Sequence, residues 1–188
     1  ESMAIGTDSE AAAAQAYAIG SQATALARRS TAIGSQALAS DTDSYAIGSD
    51  AEAAAKRSTA IGTDSTAIGT RSTAIGSQAL ASGQDSTAIG SKARATKQNS
   101  LAFGSGARST HLNSLAFGTE ARSLGHASTA IGSDSTAAGS SSIAIGTGSN
   151  ATGYKSTAIG FGAQAHRDNE MALGTRASQY RLRGLSPK

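Results

Sequence analysis

Ser58-Thr59-Ala60-Ile61-Gly62 returns unchanged at Ser65-Thr66-Ala67-Ile68-Gly69 and again at Ser72-Thr73-Ala74-Ile75-Gly76. Looser copies run from Ser2-Met3-Ala4-Ile5-Gly6 to Glu170-Met171-Ala172-Leu173-Gly174. The closing glycine falls at positions 6, 20, 34 and onward in steps of 14 to 174, thirteen times without insertion or deletion. Gly69 and Gly139 sit halfway between, so each 14-residue unit is two related heptads. Self-similarity at a fixed period specifies a repeat architecture before any local propensity is weighed.

A heptad is compatible with a coiled coil or with a short strand and a turn. The coiled coil wants large apolar residues at two positions of every heptad. No such seam exists here, and glycine in every second heptad would cost a helix about 1 kcal/mol each. The strand reading fits a period of two. From Ser2, Ser9, Ala16 and Ala23 onward, every seventh residue is Ser or Ala until Glu170. Two residues later the chain carries Ala, apart from Ser109, Ser123 and Gln179. Residues i and i+2 share one face of a strand, so each strand of about five residues turns a very small face one way.

The other face distinguishes the two halves of each unit. In the first half it carries pairs such as Met3/Ile5, Tyr17/Ile19, Thr31/Ile33, Leu101/Phe103 and Ile143/Ile145. In the second half it is mostly polar, as in Glu10/Ala12, Glu52/Ala54, Arg94/Thr96, Arg108/Thr110 and Gln164/His166. Strand, turn, strand and turn therefore make one coil, and coils stack in register about 4.8 Å apart. The Ser/Ala faces of both strands meet inside, where the Ser hydroxyls need partners, expected to be backbone carbonyls. Thirteen coils give a rod on the order of 60 Å long.

One file of large apolar side chains remains outside: Ile5, Ile19, Ile33, Ile47, Ile61, Ile75, Ile89, Phe103, Phe117, Ile131, Ile145, Ile159 and Leu173. A continuous apolar surface of that extent marks an interface. Copies of the chain are expected to pack these files together, so the rod is expected to be an obligate oligomer. The pattern fades after Gly174, which places a domain of about thirteen coils at residues 1–176 and a connector at 177–188.

Composition agrees with a narrow interior. The chain of 188 residues has 4% aromatic residues and no Trp, with Ala and Ser dominant. Its net charge of +3 is too small and dispersed to imply a nucleic-acid partner. The absence of Cys removes disulfides, thiolate metal sites and Cys nucleophiles. No apolar run reaches the length that crosses a bilayer as a helix. The chain begins inside a repeat, at Glu1-Ser2, and is expected to be a piece of a longer protein.

Asn99-Ser100-Leu101-Ala102-Phe103-Gly104 and Asn113-Ser114-Leu115-Ala116-Phe117-Gly118 resemble the repeat that builds the head of YadA-like trimeric autotransporter adhesins. The Ser-Thr-Ala-Ile-Gly units look like the same motif with Thr in second place. The resemblance covers about residues 1–176. It implies an all-β, left-handed parallel β-roll with two short strands per coil, and a homotrimer. It also implies display at the tip of a stalk on a bacterial outer membrane, with any membrane contact made through a C-terminal anchor outside this chain. The implied function is non-enzymatic attachment to host extracellular-matrix proteins, to cell-surface glycans or to other bacteria. The segment from Ala177 looks like the start of the neck that joins head to stalk. A β-solenoid ice-binding protein or a phage tail-fibre segment would share the repetitive rod. The partial Thr ladder at 31, 59, 73, 87, 129 and 157 lies beside the apolar file, however, and the polar face has no regular Thr-x-Thr file.

The residues suggest no catalytic centre, no metal site and no cofactor. His111, His126 and His166 are far apart in sequence and on turns or the polar face. Gly104-Ser105-Gly106, Gly146-Thr147-Gly148 and Gly160-Phe161-Gly162 look like phosphate loops but lead into strands, without the helix N-terminus such a loop needs. The candidate partner-binding residues are Arg94, Arg108 and Arg122, which occupy one place on the polar strand of three successive coils. Lys92 and Lys97 lie nearby, with Glu120 as a partial counterweight. The strip is expected to contact an acidic partner such as a sulfated glycan or an acidic matrix protein.

Overall fold

A computed structural model describes residues 1–179. Strands of three residues, such as Thr59–Ile61 and Thr73–Ile75, alternate with strands of two, such as Thr66–Ala67 and Leu80–Ala81. The three-residue strands form a 13-stranded parallel sheet and the two-residue strands a 12-stranded one. Every neighbour is one coil away, with Thr59 beside Thr73, Ala60 beside Ala74 and Ile61 beside Ile75. Twelve coils are complete, and a thirteenth supplies the strand Met171–Leu173.

The strands are shorter than five residues because the rest of each heptad belongs to a turn. Ser65 N–H donates to Gly62 C=O at 3.2 Å and Ser58 N–H to Ala55 C=O at 3.0 Å, closing the two turns of one coil. The ladder nevertheless continues through them. Gln78 N–H reaches Thr63 C=O at 2.9 Å, and Arg71 N–H reaches Lys56 C=O at 2.9 Å, each one coil back. Backbone polar groups are thus paired around most of the circumference, which lets so thin a roll exclude water.

The interior is the Ser/Ala set expected. Ala60, Ala67, Ala74 and Ala81 are fully buried, as are Ser58, Ser65 and Ser72. With no side chain larger than Ser or Ala inside, the two sheets approach closely. The hydroxyl partner is a carbonyl, as expected, and it belongs to the same turn. Ser58 Oγ donates to Ala55 C=O at 2.6 Å, and Ser65 Oγ donates to Gly62 C=O at 2.8 Å. Ser109 and Ser123, which stand in the Ala column, donate across the interior to Ser114 C=O and Ser128 C=O at 2.8 and 2.9 Å. Ser44, Ser72, Ser142 and Ser149 hold buried Oγ atoms without a partner.

The glycine file has a steric cause. Gly62 has φ 128°, and a Cβ there would lie 2.7 Å from the carbonyl carbon of Gly76 in the next coil. Stacking leaves no room for a side chain at that corner, and the backbone conformation excludes one as well. The last turn position before the inner Ser of each strand also has positive φ, yet here Asp64 (56°, before Ser65) and Arg57 (58°, before Ser58) occupy it. Those side chains are exposed to solvent, and the left-handed backbone there carries a conformational cost.

Candidate functional site

Since the interior is filled by invariant small residues, function lies on the two outward faces. On the 13-stranded sheet the expected apolar file is continuous: the paired registers join Ile47 to Ile61, Ile61 to Ile75 and Ile89 to Phe103. Phe103 and Phe117 pack at 5.9 Å between ring centroids, tilted by 39°. Ile5, Ile33, Phe117, Ile145, Ile159 and Leu173 are exposed along one chain, and the other members are half-buried by their file neighbours. Among the described residues no element packs over this axial apolar stripe, and an exposed stripe of such length marks an interface.

The outward file of the 12-stranded sheet reads Glu10, Thr24, Leu38, then Glu52, Thr66, Leu80, then Arg94, Arg108, Arg122, and last Thr136, Asn150, Gln164. The Glu-Thr-Leu triplet repeats at a spacing of three coils. The arginine triplet then breaks that pattern. Arg94 is in register with Arg108 and Arg108 with Arg122, and all three are exposed. The expected counterweight is present but loose, with Glu120 Oε2 at 3.8 Å from Arg122 Nη2. A depression of about 370 Å³ beside them is lined by Asp64, Thr66, Gln78, Leu80, Lys92, Arg94 and Arg108.

Other arginines are stacked differently. Arg29 grips Asp43 through two guanidinium nitrogens, Nε and Nη2, and both carboxylate oxygens, with Nη2 to Oδ2 at 2.7 Å. Arg71 grips Asp85 in the same way at 2.6 Å. Each hydrogen-bonded arginine holds its aspartate below the usual carboxylate range. The sequence reading missed these axial pairs; their signal is an opposite charge 14 residues on. At the turn before the strand Met171–Leu173, Glu170 takes the place of the inner Ser. Its Oε2 accepts from Arg167 N–H at 2.8 Å and His166 N–H at 2.7 Å. Those bonds lower its pKa.

The histidines do not converge. His111 Nδ1 meets Thr110 Oγ1 at 3.2 Å and His166 Nδ1 meets Thr152 Oγ1 at 3.0 Å. Among the described residues no group of three or more His, Asp or Glu is placed to hold a metal ion. The depression at the final coil, about 820 Å³ and lined by Gly162, Gln164, Ala172, Leu173 and Arg176, carries no cluster of titratable groups.

A family model of the YadA head domain repeat matches residues 11–37, 39–65, 67–93, 95–121, 123–149 and 151–177. The chain belongs to the YadA head repeat family. Each YadA head match spans two coils, and together the six leave out little beyond the first coil and the last residues. Among solved structures, the crystal structure of the collagen-binding domain of the Yersinia adhesin YadA is similar. It shows 25% identity over 86% of this chain and 75% of that chain, with a TM-score of 0.49. Comparison with curated proteins gives no match. Membership in the YadA head family supports an adhesin-type function and a surface-exposed bacterial protein.

Proposed function

We propose that the chain is the head of a trimeric autotransporter adhesin, held outside the bacterial outer membrane. It attaches the cell to host extracellular-matrix proteins, to cell-surface glycans or to other bacteria. The supporting observation is the exposed apolar file on the 13-stranded sheet, running without a break from Ile5 to Leu173. Three copies that bury these files against one another leave the 12-stranded faces outward as three long repetitive surfaces. Attachment then draws on many weak copies of one contact, multiplied by three chains and by many molecules per cell. No step of bond-making is involved, and the head acts without a cofactor.

Two measurements test this reading. Light scattering on the chain is expected to give the mass of three copies, and a stable folded monomer would overturn the assembly. A panel of immobilised matrix proteins, collagen among them, is expected to retain the trimer. Failure to bind any member, or cells of either kind, would overturn the attachment role.

A further inference from the structure

From the way arginines stack in this roll, we infer that Arg94, Arg108 and Arg122 form a binding site for a sulfated polysaccharide chain, which lies lengthwise along the roll axis. The inference rests on the reading of the chain as a surface-exposed adhesin head.

The roll places every residue directly beside the one 14 positions on, about 4.8 Å away. Arg29 and Arg71 meet Asp43 and Asp85 there, and their charge is neutralised within the chain. Arg94 meets Arg108 instead, and Arg108 meets Arg122. Like charges in register across neighbouring strands repel. Among the described residues Arg94 and Arg108 have no carboxylate within salt-bridge distance, and Arg122 has only Glu120 at 3.8 Å. An anion running along the file removes that repulsion, so binding releases an unfavourable term already present in the free protein.

The surroundings define the ligand. Just past the strands the next outward residues are Thr96, Thr110 and Leu124, all half-buried, so two hydroxyls lie beside the first two guanidinium groups and an apolar side chain beside the third. Exposed Lys92 adds a cation on the turn side, and the depression lined by Lys92, Arg94 and Arg108 leads onto the strip. Leu80 on one side and Thr136 on the other end the charged stretch, leaving a site three coils tall and one residue wide. Guanidinium groups bind two oxygens of one oxyanion through paired N–H donors in fixed geometry, while the threonines suit sugar hydroxyls. A thin chain that carries both sulfates and hydroxyls matches the guanidinium file and the two threonines. A single-stranded nucleic acid matches only one. Its bases want aromatic platforms, and the outward positions of the described 12-stranded sheet hold no Phe, Tyr or Trp.

The probe is heparin, immobilised, with the whole 188-residue chain as analyte. Wild type is expected to bind at low salt and to release as salt rises. The variant Arg94→Ser/Arg108→Ser/Arg122→Ser is expected to bind at least about tenfold more weakly. Its dependence of log affinity on log salt should be shallower by about two to three. Light scattering and circular dichroism are expected to match wild type, since all three side chains are exposed. The control Arg28→Ser/Lys56→Ser/Arg57→Ser removes the same charge from exposed turns and is expected to bind within about twofold of wild type. Glu120→Gln is expected to strengthen binding. Equal losses in the two triple variants would show that net charge alone attracts heparin and would overturn the site. Equal competition by a single-stranded oligonucleotide and by free heparin would overturn the assignment to a sulfated polysaccharide. Wild type that binds a matrix protein but not heparin sinks this inference alone. Wild type that binds heparin but no matrix protein or cell sinks the attachment reading and leaves the site standing.

Discussion

The two sheets are alike inside and opposite outside. Ala60 and Ala67 are equally buried in neighbouring strands of the two sheets. On the outward side of those strands the first sheet carries Ile61 in an axial file of Ile and Phe, whereas the second carries Thr66 in a file that runs from Glu52 to Arg94. The inner face is shared because one steric requirement, close approach of two sheets, acts on both. The outer faces diverge because a roll of this kind places no demand on them. One is free to become an interface between copies and the other to meet a partner.

The sharpest way to break that contrast is Ile61→Arg, which puts a charge into the middle of the apolar file. It is expected to abolish trimerisation and folding together, because the Ala/Ser interior of a single chain buries too little apolar area to stand alone. A variant that still folds as a trimer in light scattering would show that the file is not the interface, and a soluble, folded monomer would show that the roll folds without it. Next in size, Gly76→Ala acts on the stacking that both sheets share. Its Cβ would lie 2.6 Å from Gly90 C=O, on a backbone at φ 126°. Denaturant titration is expected to show a loss of roughly 3 kcal/mol.

A smaller and more discriminating pair tests the interior. Ser58 Oγ is bonded to Ala55 C=O at 2.6 Å, whereas Ser72 Oγ is buried without a partner. Ser58→Ala is expected to cost about 1 kcal/mol, and Ser72→Ala to be neutral or stabilising by a similar amount. Equal losses in the two would contradict the hydrogen-bond difference. The smallest effect concerns acid. Asp43 and Asp85, beside their arginines, and Glu170, capped by backbone N–H groups, all titrate below their ordinary values in the folded chain. Their contribution is therefore complete above the unfolded-state values and disappears as pH falls through the lower folded ones. Thermal midpoints are expected to be level at neutral pH and to decline below about pH 4. Arg71→Ala should flatten part of that decline while leaving the neutral midpoint nearly unchanged, as befits an exposed pair.

Much of the fold was legible because a strict 14-residue period carries register with it: once coils stack, Ile61 can have no neighbours except Ile47 and Ile75. The arginine strip was legible for the same reason, since three like residues at one phase must align. Ile68, which falls in the polar half of its unit, faces solvent by the same phase and is 46% exposed. What escaped was whatever depends on side-chain reach rather than phase. Arg29 and Asp43 share a phase as plainly as Arg94 and Arg108 do, yet the turn geometry that lets them close a bidentate pair is set by positive φ at both residues. The acceptor for Ser58 was expected to be a carbonyl, and only the turn's own curvature brings Ala55 C=O to it. The proposed connector falls largely at residues 180–188, outside the described residues.

The sequence by itself determined the period, the parallel register, the inner and outer faces and the glycine corners. These follow from alternation and spacing, which a stacked roll converts directly into position. Only the tertiary structure decided that strands stop after two or three residues, that most interior hydroxyls bond within their own turns, and that Glu170 closes the turn before the last described strand. It also decided that two arginines are neutralised along the axis while Arg94 and Arg108 are left without a close carboxylate. Those outcomes turn on distances of a few tenths of an ångström between side chains and backbone in adjacent coils, and phase along the chain does not specify such distances.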